Sequence, residues 1–478
     1  MRTFIKNVPM IEPEEEDAFQ NEFDTDFNRF ESMYAKRDYS FFDADKIESI
    51  IDHLLILSQH KKAKWAAEKA LEHFPYNTVF ALRKAQAMSL LGELEDAIKL
   101  LLKLEKMESN NVDLLLTLAT SFSQLKDADS AIRYYKKAWQ HADDVERTDI
   151  IIDLAMEYES MQKYGAAIDV LKKGIQEEPK NESLVYELAY CYDQLGQLDR
   201  SIKCFEDYID ENPYSYTAWY NLANTFSRLD KHDKAIWAYE YSLIINDEFT
   251  PAYFNLGNTY QSMNEYELAI EAYLKCVEID GDDGMVYCSL GECYEELDEL
   301  DEALKFYTKA TDLFPQLADA WLGRGIINTI FGKLAQAKKE FQKAIDLEED
   351  NSAFYHAMAN ALEDSGEIDL ALEYYREGLT KKNPEKDLVI DYFKCAIDHD
   401  LNNLVKEILT EDYEYLLQNT AKLGIIAAFW SCNRRTDALI MLEDLLVNDA
   451  ILAKTLFLHF PWLNDATEIR QKIDSLSE

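Results

Sequence analysis

The sequence predicts an all-α protein built as a linear array of helix–turn–helix repeats. Three observations support this fold class: a recurring interval of 34 residues, one pattern of small and large side chains within each interval, and only 14 Gly and 9 Pro among 478 residues. A β-rich chain with many turns would need more of both residue types. Because such repeats bury their faces against their neighbours, we expect one continuous stack rather than three average domains.

The interval appears first in the prolines. Pro179 and Pro213 are 34 residues apart, and Pro213 and Pro315 are 102 residues, or three intervals, apart. Dividing the chain in this way gives ten repeats over residues 44–385, the third of which is two residues longer near Glu146. The repeats begin at residues 44, 78, 112, 148, 182, 216, 250, 284, 318 and 352.

Within each repeat, positions counted from its first residue show a constant pattern. Positions 8 and 20 are small, as in Ala223 and Ala235, whereas positions 4, 11 and 24 are large, as in Trp219, Phe226 and Tyr239. These spacings predict two helices that approach closely at the small residues, with aromatic rings between neighbouring repeats. Glycine at position 15 indicates a left-handed residue that ends the first helix. The glycines at this position are Gly92, Gly196, Gly332 and Gly366.

The pattern resembles the tetratricopeptide repeat family, whose signature is W-x-x-L-G-x-x-Y followed by A, F and P. Residues 219–226 carry it as Trp219, Leu222, Ala223 and Phe226, and residues 253–260 match it equally well. The resemblance implies a right-handed α-α superhelix of about ten regular and two degenerate repeats, with the first helix of each repeat lining a concave surface. It also implies a scaffold that binds proteins or peptides.

The segments on either side of the ten repeats are predicted to extend or close the array. Residues 386–452 are expected to form two degenerate repeats, and residues 453–478 a C-terminal capping helix. Residues 1–43 form an acidic segment with an amphipathic helix, which we expect to cap the first repeat or, alternatively, to engage a partner. Either end of the chain could also support self-association. The aromatic stripe of the N-terminal helix consists of Phe19, Phe23, Phe27, Phe30 and Tyr34.

The charge of the chain excludes several classes of partner. With 49 Lys plus Arg against 91 Asp plus Glu, the net charge is −42. Nucleic acids and anionic lipids both require clustered basic residues, so neither is expected to bind. No apolar stretch is long enough to span a membrane, and the N-terminus lacks the apolar core of a signal peptide. We therefore expect a cytoplasmic protein.

The sequence also lacks the motifs of common catalytic and metal sites. It contains no H-E-x-x-H, no phosphate-binding loop, no nucleophile elbow and no dinucleotide glycine signature. Its seven cysteines include no C-x-x-C pair, and its eight histidines show no spacing typical of metal ligands. We therefore predict a protein without enzyme activity, cofactor or metal.

The resemblance assigns ligand contact to positions 2, 5, 6, 9, 12 and 13 of the first helix. In the central repeats these positions are rich in aromatic and amide side chains, and the amides can both donate to and accept from a peptide backbone. Asn221 and Asn255 share position 6, similar to the asparagine ladder of some family members, although the family consensus alone also favours Asn there. The predicted peptide-binding residues are Tyr186, Tyr190, Tyr220, Asn221, Asn224, Phe254, Asn255, Asn258, Gln261, Glu292 and Glu295.

Acidic side chains at the same positions flank this centre and predict a basic or neutral ligand. One subclass of the family is excluded, because Tyr220, Met285 and Ser289 stand where members that clamp a C-terminal carboxylate carry three cations. The flanking acids are Asp149, Asp153, Glu159, Glu296, Glu363 and Asp364.

The repeat that begins at residue 318 departs from the pattern. Arg324 occupies position 7 and Asn328 position 11, where leucine and tyrosine are usual. An unpaired guanidinium is costly in a protein interior, so we expect Arg324 to reach a carboxylate or solvent. A bend in the array or a ligand contact is the alternative.

Together these features predict a non-enzymatic scaffold for protein–protein interaction that holds an extended peptide in its concave groove. The alternative is a regulatory or targeting subunit that positions a separate enzyme or assembly complex.

Overall fold

The computed structural model describes residues 13–382, 384, 386–399 and 419–474, except for the side chains of residues 13–22, 144, 145, 386 and 419. The chain divides into two compact units, Met1–Asn246 and Asp247–Glu478. All regular structure in the described ranges is helical. Two predictions fall outside the description: the side chain of Phe19, and the part of the first degenerate repeat at residues 400–418.

The first unit consists of one N-terminal helix followed by six helix pairs, each pair joined by a short turn. Its helices are α1 (Pro13–Lys36), α2 (Ala44–Ile56), α3 (His60–His73), α4 (Thr78–Leu90), α5 (Leu94–Glu105), α6 (Val112–Gln124), α7 (Ala128–His141), α8 (Asp144–Ser160), α9 (Tyr164–Glu177), α10 (Glu182–Gln194), α11 (Leu198–Glu211), α12 (Tyr216–Ser227) and α13 (His232–Ile245).

The second unit continues with four regular pairs and a less regular C-terminal part. Its helices are α14 (Thr250–Ser262), α15 (Tyr266–Asp280), α16 (Gly284–Glu296), α17 (Leu300–Leu313), α18 (Ala318–Ile330), α19 (Leu334–Leu347), α20 (Ser352–Asp364), α21 (Ile368–Leu379), α22 (Lys386–Asp398), α23 (Asn419–Ser431), α24 (Arg435–Asn448), α25 (Ala450–Lys454), α26 (Leu456–His459), a 3₁₀ helix (Pro461–Asp465) and α27 (Thr467–Asp474). None of the helices described in either unit has the length and apolar character needed to cross a bilayer.

Close approach of the paired helices depends on small residues at position 8. A Cβ atom added to Gly257 would lie 2.6 Å from the Tyr273 ring, and one added to Gly291 would lie 2.7 Å from the Tyr307 ring. The ring at position 24 therefore packs against the first helix of its own repeat. Tyr307 also faces Gly323 of the next repeat. The sequence pattern predicts these rings between repeats, whereas Tyr307 packs both within its own repeat and against the next one.

The turn inside every regular repeat has the same backbone. Position 15 has a φ between 54° and 81° in all ten repeats, although only four of them have glycine there. The amide of position 16 donates to the carbonyl of position 11, as in Lys163 to Tyr158 at 2.8 Å, which is the bond that closes a Schellman motif. The residues at position 15 are Ser58, Gly92, Lys126, Gln162, Gly196, Asp230, Asn264, Asp298, Gly332 and Gly366.

The two extra residues of the third repeat lengthen a helix. Helix α8 has 17 residues, whereas α10 has 13. Asp143 caps α8 by accepting from the Glu146 amide, and the Glu146 side chain reaches back to the Asp143 amide. This capping box satisfies otherwise unpaired amides at the earlier helix start.

Helix α1 packs against the first helix pair. Phe30 is fully buried, and its ring centroid lies 5.8 Å from that of Trp65, while the Tyr34 centroid lies 5.2 Å from Trp65. An ion pair of 2.6 Å between Lys62 and Glu31 borders this contact. Within the first unit, α1 thus covers apolar surface of the first repeat.

Candidate functional site

In the second unit, the predicted ligand-facing residues of α14 and α16 lie on one polar surface. Gln261 of α14 donates from Nε2 to Glu292 Oε2 of α16 over 2.9 Å, which connects the two helices. Asn258 is exposed, and the other members are half-buried. We call this the α14–α16 surface. It consists of Phe254, Asn255, Asn258, Gln261, Glu292 and Glu295.

A buried tyrosine hydroxyl supports the amides of this surface from beneath. The Tyr273 hydroxyl lies 2.7 Å from Asn258 Oδ1 and 2.8 Å from Gln261 Oε1, and the Tyr273 side chain is fully buried. Burial raises the pKa of the Tyr273 phenol, so this group stays neutral and keeps its proton. The Phe254 ring packs against the Tyr273 ring with centroids 5.7 Å apart. These contacts restrict the rotamers of the two amides.

The next repeat supports a carboxylate in the same way. Tyr307 donates its hydroxyl to Glu295 Oε2 over 2.7 Å. Burial raises the pKa of Glu295, and the hydrogen bond from Tyr307 opposes that rise by favouring the charged form. Glu295 is therefore a half-buried acid whose orientation is held by one donor.

The first unit repeats this arrangement on α12. The Tyr239 hydroxyl donates to Asn224 Oδ1 over 2.6 Å, and the Tyr220 ring centroid lies 6.0 Å from that of Tyr239. Tyr186 and Tyr190 on α10 are 47% and 38% exposed, which leaves both rings available to a ligand. We call the set of Tyr186, Tyr190, Tyr220, Asn221 and Asn224 the α10–α12 surface.

The structure thus groups the predicted site residues by unit. Six lie on the α14–α16 surface and five on the α10–α12 surface. Because Asn221 and Asn255 belong to different compact units, an asparagine ladder between them stays a prediction.

The tyrosines at position 24 were missed as contributors to the site. The repeat pattern by itself predicts only a packing role for Tyr239, Tyr273 and Tyr307. A signal was present, because these repeats have an amide or carboxylate at position 9 or 12, where a hydroxyl can reach it. The repeat with Phe341 at position 24 has Ile326 and Thr329 at those positions instead.

Arg324 pairs with a carboxylate, which was one of the two outcomes expected for it, the other being exposure to solvent. Its Nε donates to Glu340 Oε1 over 2.7 Å, and its NH1 donates to Thr311 Oγ1 over 2.8 Å. Asn328 donates from Nδ2 to the other oxygen, Glu340 Oε2, over 2.8 Å. The Glu340 side chain is only 3% exposed, so this is a buried ion pair with additional hydrogen bonds.

Comparison with known proteins identifies the repeats. Models of the tetratricopeptide repeat match residues 159–224, 216–243, 250–283, 284–317, 318–351 and 352–380. No curated protein matches the sequence.

Several solved structures are similar over part of the chain. A crystal structure of the MamA protein is 29% identical over 34% of this chain and 90% of its own, with a TM-score of 0.32. YrrB, a tetratricopeptide repeat protein with an unusual peptide-binding site, is 22% identical over 40% of this chain and 98% of its own, with a TM-score of 0.35. A tetratricopeptide repeat protein from Parabacteroides merdae is 17% identical over 52% of this chain and 98% of its own, with a TM-score of 0.42.

The matched segments extend from the end of α8 through α21, and this part of the chain consists of tetratricopeptide repeats, which are typical of protein-interaction scaffolds.

Proposed function

We propose that this protein is a non-enzymatic scaffold whose first-helix surfaces bind an extended, basic or neutral segment of a partner protein. The observation that carries the proposal is the support of surface amides and carboxylates by buried tyrosine hydroxyls. It recurs at Tyr273 and Tyr307, which contact the α14–α16 surface, and at Tyr239, which contacts the α10–α12 surface.

Support of this kind favours binding because the polar groups are ordered before the ligand arrives. Each long side chain immobilised on association costs about 0.5–1.5 kcal/mol, and groups already held by a neighbour avoid part of that cost. Asn and Gln side chains offer both a donor and an acceptor, which matches the alternating groups of an extended backbone. A peptide main chain is therefore a better ligand for these surfaces than a purely anionic or purely apolar group.

The charge around the α14–α16 surface favours a basic or neutral segment. Glu292 and Glu295 belong to this surface, and the exposed side chain of Glu296 follows them on α16. Long-range attraction from a chain of net charge −42 should speed the encounter with a basic ligand and weaken as salt is added.

The proposal can be tested with three synthetic peptides of equal length that differ only in carrying Lys, Ser or Glu at alternate positions. Fluorescence anisotropy with the full chain should show tighter binding of the Lys and Ser peptides than of the Glu peptide, and the advantage of the Lys peptide should shrink in high salt. Equal affinity for all three would contradict the charge part of the proposal.

Variants locate the binding surface. Asn255→Ala should weaken binding of the Ser peptide by about 1 kcal/mol, or roughly fivefold, because one hydrogen bond is lost. Glu292→Gln should mainly affect the Lys peptide. Glu302→Gln makes the same charge change at a side chain of α17 that is 43% exposed and paired with Lys305, so it serves as the matched control. If Asn255→Ala and Glu292→Gln both bound like the wild type, the α14–α16 surface would be excluded.

The alternative role as a targeting subunit predicts a different result when partner proteins are purified together with the chain. An enzyme retained in equal amount by the wild type and by the Asn255→Ala, Glu292→Gln double variant would indicate docking elsewhere on the chain and would support that alternative.

A further inference from the structure

Three metal-ligating side chains meet between α20 and α22, outside the α14–α16 surface. Glu363 lies near the end of α20, Cys395 lies on α22, and His399 follows directly after α22. One donor atom from each lies within 4.8 Å of the other two, and His399 Nε2 is 3.8 Å from Glu363 Oε1. We call these residues the α20–α22 cluster.

We propose that the α20–α22 cluster binds one divalent transition-metal ion of the zinc class. Cys395 would supply a thiolate, His399 an imidazole nitrogen and Glu363 a carboxylate oxygen. Binding replaces the thiol proton of Cys395, which passes to solvent, and leaves a fourth ligand position for water.

The donor set and its spacing fit this ion. Zinc takes thiolate, imidazole and carboxylate ligands at about 2.0–2.3 Å, so two tetrahedral ligands lie about 3.3–3.6 Å apart. The separation of 3.8 Å between His399 Nε2 and Glu363 Oε1 is already close to that value. Calcium and magnesium, which prefer oxygen ligands only, are disfavoured by the thiol and the imidazole.

The helix places two of the donors on one face. Cys395 and His399 are four residues apart, and the His399 amide donates to the Cys395 carbonyl over 3.2 Å, so the helical backbone continues to the histidine. Cys395 is fully buried, whereas the His399 and Glu363 side chains are 39% and 28% exposed. An ion can therefore enter from the histidine side and reach a thiol that is shielded from water.

A neighbouring hydroxyl orients the carboxylate. The hydroxyl of the buried Tyr375 lies 2.8 Å from Glu363 Oε2 and 2.5 Å from Asn360 Oδ1, while the other carboxylate oxygen, Oε1, is the one nearest to His399. Ligating carboxylates in metal sites are commonly held in this way by an outer hydrogen bond.

The fold alone does not produce this cluster, because the residues at the corresponding positions of another pair of successive repeats in the second unit are different. In the repeats that begin at residues 250 and 284, these positions hold Gln261, Cys293 and Leu297. The cysteine recurs there with a tyrosine, Tyr273, at the position of Tyr375, but the carboxylate and the imidazole do not. Of these two versions, the α20–α22 cluster alone combines three metal donors.

The test uses the full chain without a histidine tag, stripped of metal with a chelator and titrated with Co²⁺ alone. We expect one bound ion per chain, with a thiolate-to-cobalt charge-transfer absorption band that disappears when Zn²⁺ displaces the cobalt. His399→Ala changes a partly exposed side chain and should lower the affinity at least tenfold while the helical circular dichroism is retained. Tyr375→Phe should weaken binding about 10- to 100-fold, as loss of an outer partner does.

Two cysteine variants complete the test. Cys395→Ser should remove the charge-transfer band, whereas the matched control Cys293→Ser, at the equivalent buried position, should leave it unchanged. Absence of the band at millimolar Co²⁺, a band that survives Cys395→Ser, or unchanged affinity in His399→Ala would each overturn the proposal. Because His399→Ala tests it independently, a Cys395 variant that fails to fold would not prevent a decision.

Discussion

Two neighbouring repeats of the second unit, α16–α17 and α18–α19, place opposite chemistry at the same three positions. In the first, the Tyr294 and Phe306 rings stack with centroids 5.3 Å apart and planes 3° apart, and Leu290 is fully buried. In the second, the corresponding residues are Asn328, Glu340 and Arg324, which form the buried hydrogen-bonded ion pair described above.

The residues at these three positions therefore depend on one another for their stability. A stacked aromatic pair needs no polar partner, whereas a buried carboxylate is tolerated only if a cation and further donors surround it. Exchanging a single member would leave either a charge without a partner or a ring against a carboxylate. The stack is also used in the first unit, where the Phe122 and Tyr134 rings lie 5.6 Å and 5° apart at the same repeat positions.

Removal of the central carboxylate should have the largest effect. Glu340→Ala leaves the guanidinium of Arg324 and the amide of Asn328 without their buried acceptor, and breaking such a pair costs about 3–5 kcal/mol. Native-state hydrogen exchange of the α18 and α19 amides should report the loss locally, which avoids assuming two-state unfolding of a repeat array.

A triple variant is the control for that prediction. Arg324→Leu, Asn328→Tyr and Glu340→Phe together install the residue types of the preceding repeat. Because a buried ion pair is often no more stabilising than apolar residues of similar size, this variant should be at least as stable as the wild type. If the triple variant lost as much stability as Glu340→Ala, the three positions would not be interchangeable between repeats.

A smaller effect is expected at the supporting hydroxyl of the α16–α17 repeat. Tyr307→Phe removes the donor to Glu295 and should cost about 1–3 kcal/mol at neutral pH. Burial holds the pKa of Glu295 above its ordinary value of 4.5, and loss of the hydroxyl should raise it further. A carboxyl whose folded-state pKa is raised carries no penalty at pH values below its ordinary pKa, and stability is lost as the pH rises through the folded-state value. The stability gap between variant and wild type should therefore widen from mildly acidic to neutral pH, as measured by hydrogen exchange of α16.

The smallest effects are expected at the turns of the same two repeats. Gly332 and Asp298 both occupy position 15, with φ of 72° and 59°, and nothing lies within 4 Å of a Cβ atom added to Gly332. Gly332→Ala should therefore cost about 1 kcal/mol through backbone strain alone, and Asp298→Gly should give a smaller gain. Thermal unfolding of both variants checks the signs, and a loss of stability in Asp298→Gly would contradict this account.

The repeat architecture could be predicted from the sequence because it depends on local spacing. The small residues at position 8 and the aromatic residues at position 24, such as Gly257 and Tyr273, recur at a constant interval. Each repeat therefore supports the helix assignment of the others. The left-handed turn was predicted only at four glycines. Residues such as Lys126 and Gln162 adopt it as well, because helix packing and the closing hydrogen bond determine the turn and outweigh the preference of the residue.

The candidate site could be predicted only in part. The surface residues of α14 and α16 follow from helical position, but the partner of each one depends on distances across helices. The hydroxyl of Tyr273 lies twelve residues or more along the chain from the amides it contacts. The α20–α22 cluster lies outside the spacings considered in the sequence, because Cys395 and His399 are four residues apart and belong neither to a histidine pair nor to a C-x-x-C pair. Glu363 joins them only through the packing of α20 against α22.

The uniform turn also bears on how this chain can change over generations. Ten turns with six different residue types at position 15 share one left-handed φ, so this backbone accommodates varied side chains at that position. The length of the turn, in contrast, is constant, because every closing hydrogen bond spans the same number of residues. The insertion near Glu146 lies between two repeats, where α8 lengthened at its start to accommodate it. Insertions and deletions in such a lineage should therefore accumulate between repeats and be purged within them.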